Sequence, residues 1–85
     1  MNKKKELSPN VILIKEQYPK GTRILLKNMD DPYAPVPSGT KGSVDFVDDA
    51  GDIHMNWDNG RTLAIFPEKD DFRKLTEEEL VEEKI

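Results

Sequence analysis

The chain has 85 residues, with 13 Lys and Arg against 17 Asp and Glu, one His and no Cys, for a net charge of −4. That length fits one small domain with a thin core, and the missing cysteines exclude a disulfide framework, a Cys-based metal site and a Cys nucleophile. No apolar run approaches the roughly 18 residues that a membrane helix needs, and the negative balance disfavours a grip on duplex nucleic acid made by charge alone.

Residues 1–7 hold Lys3, Lys4 and Lys5 and read as a disordered basic tail. Only four consecutive apolar residues follow, too few for a signal-peptide core, so the chain reads as cytoplasmic. Ser8-Pro9 is a helix start: Ser caps, and Pro fits the first helical position, where its missing N–H costs nothing. A short helix is predicted over 8–18, with Val11, Ile14 and Tyr18 on one face, and Pro19 ends it. The run Val11 to Ile14 also fits a strand, since it is continuous and largely β-branched.

From Thr22 the signals are those of strands. Thr22–Met29 is the first, with Ile24 and Leu26 on one face. Asp30–Gly39 contains Pro32, Pro35 and Pro37, a density that neither a helix nor a central strand tolerates, so it is an ordered or extended loop. Lys41–Val47 is the second strand, with Val44 and Phe46 paired on one face. Asp48-Asp49-Ala50-Gly51 is a turn. Asp52–Trp57 is the third strand, in which Ile53, Met55 and Trp57 alternate strictly. Asn59-Gly60 is the strongest short hairpin signal. It leads into a predicted fourth strand, Arg61–Phe66, which Pro67 stops. Residues 68–71 are a polar turn of 3₁₀ type, and Phe72–Leu75 is a short fifth strand. Thr76 with Glu79 has capping-box spacing, so residues 76–85 form an acidic tail or a short helix.

The fold class that follows is mainly β: a small five-stranded SH3-like barrel over 19–75, with a short N-terminal helix and a short acidic C-terminal tail. An immunoglobulin-type sandwich needs more strands. An OB-fold usually separates its third and fourth strands by a helix, where this chain has a tight turn. The charge is uneven. Residues 1–17 are net +2, residues 18–75 net −2, and residues 76–85 net −4, from five Glu and one Lys.

The Pro-rich loop is the most unusual segment. Its prolines lower the entropy lost on ordering, and Tyr33 among them is either the wall of a binding groove or a cover over one end of the core. Trp57 belongs to the core by alternation, yet its place beside a hairpin turn also suits a half-exposed anchor. His54 faces solvent and is expected to be bland. Asp30, Asp31, Asp45, Asp48, Asp49, Asp52 and Asp58 lack EF-hand spacing, and turn formation explains most of them, so no metal site is assigned. No nucleophile elbow or phosphate-cradling Gly loop is present, no cofactor is implied, and no catalytic residue is assigned.

The stretch MDDPYAPVPSGTKGSVDFVDDAGDIHMNWDNGRTLAIFP resembles a short bacterial domain-of-unknown-function family. The motif positions are Asp30, Asp31, Pro32, Tyr33, Pro35, Pro37, Gly39, Thr40, Gly42, Trp57, Asp58, Asn59 and Gly60. The likeness covers Tyr18 to Leu75 and leaves Val11–Ile14 and the acidic tail outside. Met55 stands where members often have Val, and Glu68 where many have Gly. The resemblance implies an SH3-like barrel of a kind often found in Gram-positive bacteria, including on phages and conjugative elements, and it assigns no activity. Separately, Gly39-Thr40-Lys41-Gly42-Ser43-Val44 is similar to the Gly-x-x-Gly-x-Val turn of KOW-type barrels, many of which touch RNA.

The leading expectation is a non-catalytic module that takes a protein or peptide in a groove lined by Asp30, Asp31, Tyr33, Pro35, Pro37, Trp57 and Asn59. A KOW-like RNA or single-strand binder, using Arg23, Lys41, Arg61 and Arg73 as a basic strip, is one alternative. A phage or mobile-element protein that inhibits a host nuclease or defence system, with the acidic tail mimicking phosphates, is the other. No membrane partner is expected. The apolar Val11–Ile14 segment either caps the barrel or pairs with another chain.

Overall fold

A computed structural model describes residues 7–85. All of the expected basic tail except Leu7 lies outside the described residues. Ser8 Oγ accepts the Val11 N–H at 3.2 Å and Pro9 opens the first turn, so helix α1 (Pro9–Gln17) begins where local capping chemistry puts it. Tyr18 closes the helix by donating its N–H to Ile14 O at 3.0 Å, ahead of Pro19. Val11 is its one buried residue, whereas Ile12 and Leu13 face outward. Lys15 Nζ donates to Val47 O at 2.7 Å and ties the helix to the sheet.

The strands are β1 (Arg23–Asn28), β2 (Lys41–Val47), β3 (Ile53–Trp57) and β4 (Asp71–Lys74), in one antiparallel sheet ordered β3-β2-β1-β4. Alternation sends Ile24 and Leu26 of β1, and Ile53, Met55 and Trp57 of β3, into one core with Met29, Val36, Val44, Val47 and Ile65. The molecule is thus mainly β, a four-stranded open sheet with two short helices. The C-terminal helix α2 (Glu77–Glu82) starts in a capping box: Thr76 Oγ1 accepts the Glu79 N–H at 3.1 Å, and Glu79 Oε1 accepts the Thr76 N–H at 2.8 Å.

Two expectations are corrected. Arg61–Phe66 is not a strand. It touches β3 at both ends, where Ile65 exchanges two hydrogen bonds with Ile53 and Trp57 N–H donates to Arg61 O. Between these points the Leu63 carbonyl accepts the indole N–H of Trp57 at 2.8 Å. A carbonyl turned to a side chain is withdrawn from the ladder, and so the predicted fifth strand becomes the fourth of the sheet.

The second correction concerns Phe46. The β2–β3 register runs Val44↔Met55 and then Phe46↔His54, so Asp45 is an extra residue, a bulge. The bulge breaks the two-residue period. Val47 takes the core position, and Phe46 is left 51% exposed, its ring stacked on His54 at 4.3 Å.

Candidate functional site

The loop from Asp30 to Gly39 is fixed from several directions. The Asp70 carboxylate, buried below it, accepts the Asp30 N–H through Oδ1 and the Phe66 N–H through Oδ2, each at 2.8 Å. Asp31 Oδ1 accepts the Tyr33 N–H at 2.8 Å and the Ala34 N–H at 3.3 Å, an Asx turn that sets the bend at Pro32. Arg61 donates from its guanidinium to the carbonyls of Ala34 and Pro35. Val36 is buried and gives its N–H to Met29 Sδ at 3.4 Å. Three prolines between these anchors leave little backbone freedom.

Tyr33 stands on this scaffold 92% exposed. Pro35, Pro37 and Asp30 are also on the surface, and Asp31 is half-buried. Asn59 lies in the hairpin turn, where its Oδ1 accepts the Arg61 N–H at 2.9 Å. It therefore supports the arginine that holds the loop. Trp57 does not join this surface: it is 3% exposed, and its indole lies against Gly42. A groove walled by both Tyr33 and Trp57 is not formed. The loop instead borders a cleft of about 170 Å³ whose apolar walls include Pro32, Leu63 and Phe66. A larger cleft of about 510 Å³ opens on the other side of Phe66, against Val11 and Ile14 of α1 and the turn at Gly51.

Sequence reasoning missed Phe66 and Asp70. Phe66 follows Ile65, which faces the core, so its own side chain turns outward and is 43% exposed. Asp70 carried one signal, a carboxylate four residues after Phe66 at the end of a turn, which is the spacing of a side chain that accepts the turn's N–H groups.

The three arginines of the expected basic strip are engaged internally, Arg61 on the loop carbonyls as above. Arg23 uses all five guanidinium N–H groups: a fork onto Asp58 at 2.9 and 2.7 Å, a fork onto Glu83 at 3.0 and 2.6 Å, and a bond to Ser43 Oγ at 3.0 Å. Arg73 forks onto Glu79 at 2.7 and 2.8 Å. The Arg23 hydrogen bonds hold the Asp58 and Glu83 carboxyls below the usual carboxylate range. Glu79 is pulled down to about 2, first by Arg73 and then by the Thr76 N–H.

His54 Nε2 lies 2.8 Å from Asp48 Oδ2, and that bond lowers the Asp48 carboxyl. The other Asp48 oxygen accepts N–H groups from Ala50 and Asp52, so the carboxylate is spent on closing the turn. Burial raises the Asp52 carboxyl, with the Asp48 charge adding to it. Among the described residues no three His, Cys, Asp or Glu side chains gather closely enough to hold a metal ion, and no helix is long and apolar enough to cross a membrane.

The Gly39–Gly42 spacing has a structural cause. Gly39 turns at φ 90°, and a Cβ on Gly42 would lie 2.7 Å from Cε3 of Trp57.

Fold and site together define a small antiparallel β domain that displays one aromatic on a rigid Pro-rich loop. A family model described as "Domain of unknown function (DUF4314)" matches residues 8–75, and the chain belongs to that family. The match begins at Ser8 and so takes in α1, which the motif resemblance had left outside, and it ends at Leu75, before α2. No curated protein and no solved structure matches the chain.

Proposed function

We propose that this chain is a non-catalytic binding module that takes a protein or peptide partner at the Pro-rich loop. The observation that carries this reading is Tyr33, almost wholly in solvent on a backbone held by Asp70, Asp31 and Arg61. An exposed ring on a flexible loop must be ordered at an entropic cost on binding, whereas here the ordering is already built into the fold. Tyrosine supplies apolar area with two rotatable angles and a polar tip, which suits it to anchoring a partner. The cleft beside the loop, lined by Pro32, Leu63 and Phe66 together with Asp30, Asp31 and Asp70, offers the partner a second contact.

In architecture we read the sheet, with the 61–66 segment laid along β3, as a partly open barrel of the SH3-like kind. The Gly-x-x-Gly turn lends no weight to an RNA-binding reading, since turn geometry and the Trp57 contact already require both glycines.

The test is co-purification from a bacterial host with the wild-type chain and with Tyr33→Ala, each checked for folding by circular dichroism. Partners retained by the wild type and lost by a folded Tyr33→Ala chain support the reading. An identical set of retained partners overturns it.

A further inference from the structure

The outer face of the sheet gathers three cations. The strand registers set Leu25 opposite both Lys41 of β2 and Arg73 of β4, so these three side chains form one row across the sheet. Arg23, two residues before Leu25 on the same face of β1, stands opposite Ser43 in the adjacent row. Glu79 and Glu83, four residues apart and so on one side of the chain's last helical stretch, fork onto Arg73 and Arg23. Lys41 adds its charge to the field on Glu83.

The attachment is electrostatic. No residue of α2 is buried, and among the described residues the side-chain hydrogen bonds that join it to the sheet are those two forks. The segment 76–85 also carries net −4, the whole of the chain's imbalance, leaving twelve basic and twelve acidic residues elsewhere.

We propose that α2 with its C-cap Glu83 is a detachable acidic cover, the Glu79 and Glu83 carboxylates standing in for phosphates, and that the Lys41–Arg73–Arg23 face beneath it binds the backbone of single-stranded nucleic acid. Forked guanidinium groups accept phosphate as they accept carboxylate. A peptide ligand is disfavoured by the example already in place, because α2 is held there without burying a single side chain, and tight protein partners need desolvated apolar anchors. The backbone of a phosphodiester chain is gripped chiefly through charge. A single strand is favoured over a duplex because acids flank the cations: β2 runs from Ser43 on to Asp45, and Asp58 forks onto Arg23. A flexible backbone can confine its phosphates to the basic row, and a rigid duplex cannot. This surface is separate from the Tyr33 loop, and the two readings stand or fall independently.

The test compares the full chain with its Glu79→Gln/Glu83→Gln variant, using fluorescence anisotropy on a dye-labelled thymidine oligonucleotide of about 20 nucleotides, longer than the site size of a single binding fold. The double variant is expected to bind at least tenfold more tightly than the wild type at low salt. Its log–log salt slope should be about −2, as three phosphate contacts at roughly 0.7 each require. Glu79→Gln alone should give an intermediate gain, and Arg73→Ala added to the double variant should remove most of it. No gain in a double variant with an intact β signal overturns the proposal. So does equal affinity for a duplex of the same length, or tight binding of a synthetic 75–85 peptide that the oligonucleotide fails to displace.

Discussion

Asp70 holds Asp30 across forty residues of sequence, its Oδ1 accepting the Asp30 N–H at 2.8 Å while Oδ2 accepts the Phe66 N–H. One buried carboxylate therefore joins the start of the Pro-rich loop to the turn before β4. Removing it leaves two N–H groups without their acceptor. Asp70→Ala is expected to cost about 2–3 kcal/mol, and Asp70→Asn, which keeps one acceptor oxygen, about half as much. Urea denaturation of the three proteins checks the order.

Tyr33 and Trp57 separate under mutation as they do in space. Tyr33→Ala should leave stability within about 0.5 kcal/mol of the wild type, as expected for an exposed side chain, and should affect partner capture alone. Trp57→Ala empties the core and breaks the indole bond to Leu63, and is expected to cost about 3–5 kcal/mol. Thermal melts distinguish them, and any loss of binding in a Trp57 variant reports unfolding.

Gly42 is the glycine packed most tightly against the core. A Cβ there would meet Trp57 at 2.7 Å at its ring and 2.9 Å at its Cα, so the backbone must move as well as the ring. Gly42→Ala should destabilise by about 1–3 kcal/mol, the range of an overpacked core. A red shift of tryptophan emission in the folded state would report the displaced indole.

Acid should release α2 before it unfolds the sheet. The Glu79 carboxyl is depressed in the folded chain, so its ion pair contributes fully above its ordinary value near 4.5 and is lost as pH falls through about 2. Glu83 shifts in the same direction against Arg23. Amide signals of Leu80 and Val81 followed by NMR should move toward coil values in that window. High salt at neutral pH should have the same effect, because exposed ion pairs are screened. Retention of the α2 signals at pH 2 would contradict this account.

Much of the fold was legible in the sequence. Ser8 with Pro9 and Thr76 with Glu79 act within one helical turn, and both helices start where those residues stand. The alternations of Ile24 with Leu26, and of Ile53 with Met55 and Trp57, marked the core faces, because a strand's period is carried by neighbours two apart. The Pro-rich loop was legible for the same reason, since proline acts on its own backbone and on the residue before it.

Other features depend on partners far along the chain. The bulge at Asp45 exists only in register with β3, so counting along β2 misassigned Phe46. Arg61–Phe66 has the pattern of a strand, yet the Trp57 indole claims the carbonyl that the ladder needed. Nothing within reach of Asp70 in sequence announces Asp30, and nothing near Glu83 announces Arg23.

By itself, then, the sequence determined a small, mainly β domain with a helix-start signal at Ser8-Pro9, capping-box spacing at Thr76, a proline-stiffened loop and an acidic end, because capping, turn geometry and period-two burial act over a few residues. Only the tertiary structure decided that the sheet stays four-stranded, that Tyr33 stands in solvent while Trp57 is buried, and that the acidic end is folded back onto arginines of the sheet. Each of those outcomes is a competition for one carbonyl, one core position or one guanidinium between groups that meet only when the chain has folded.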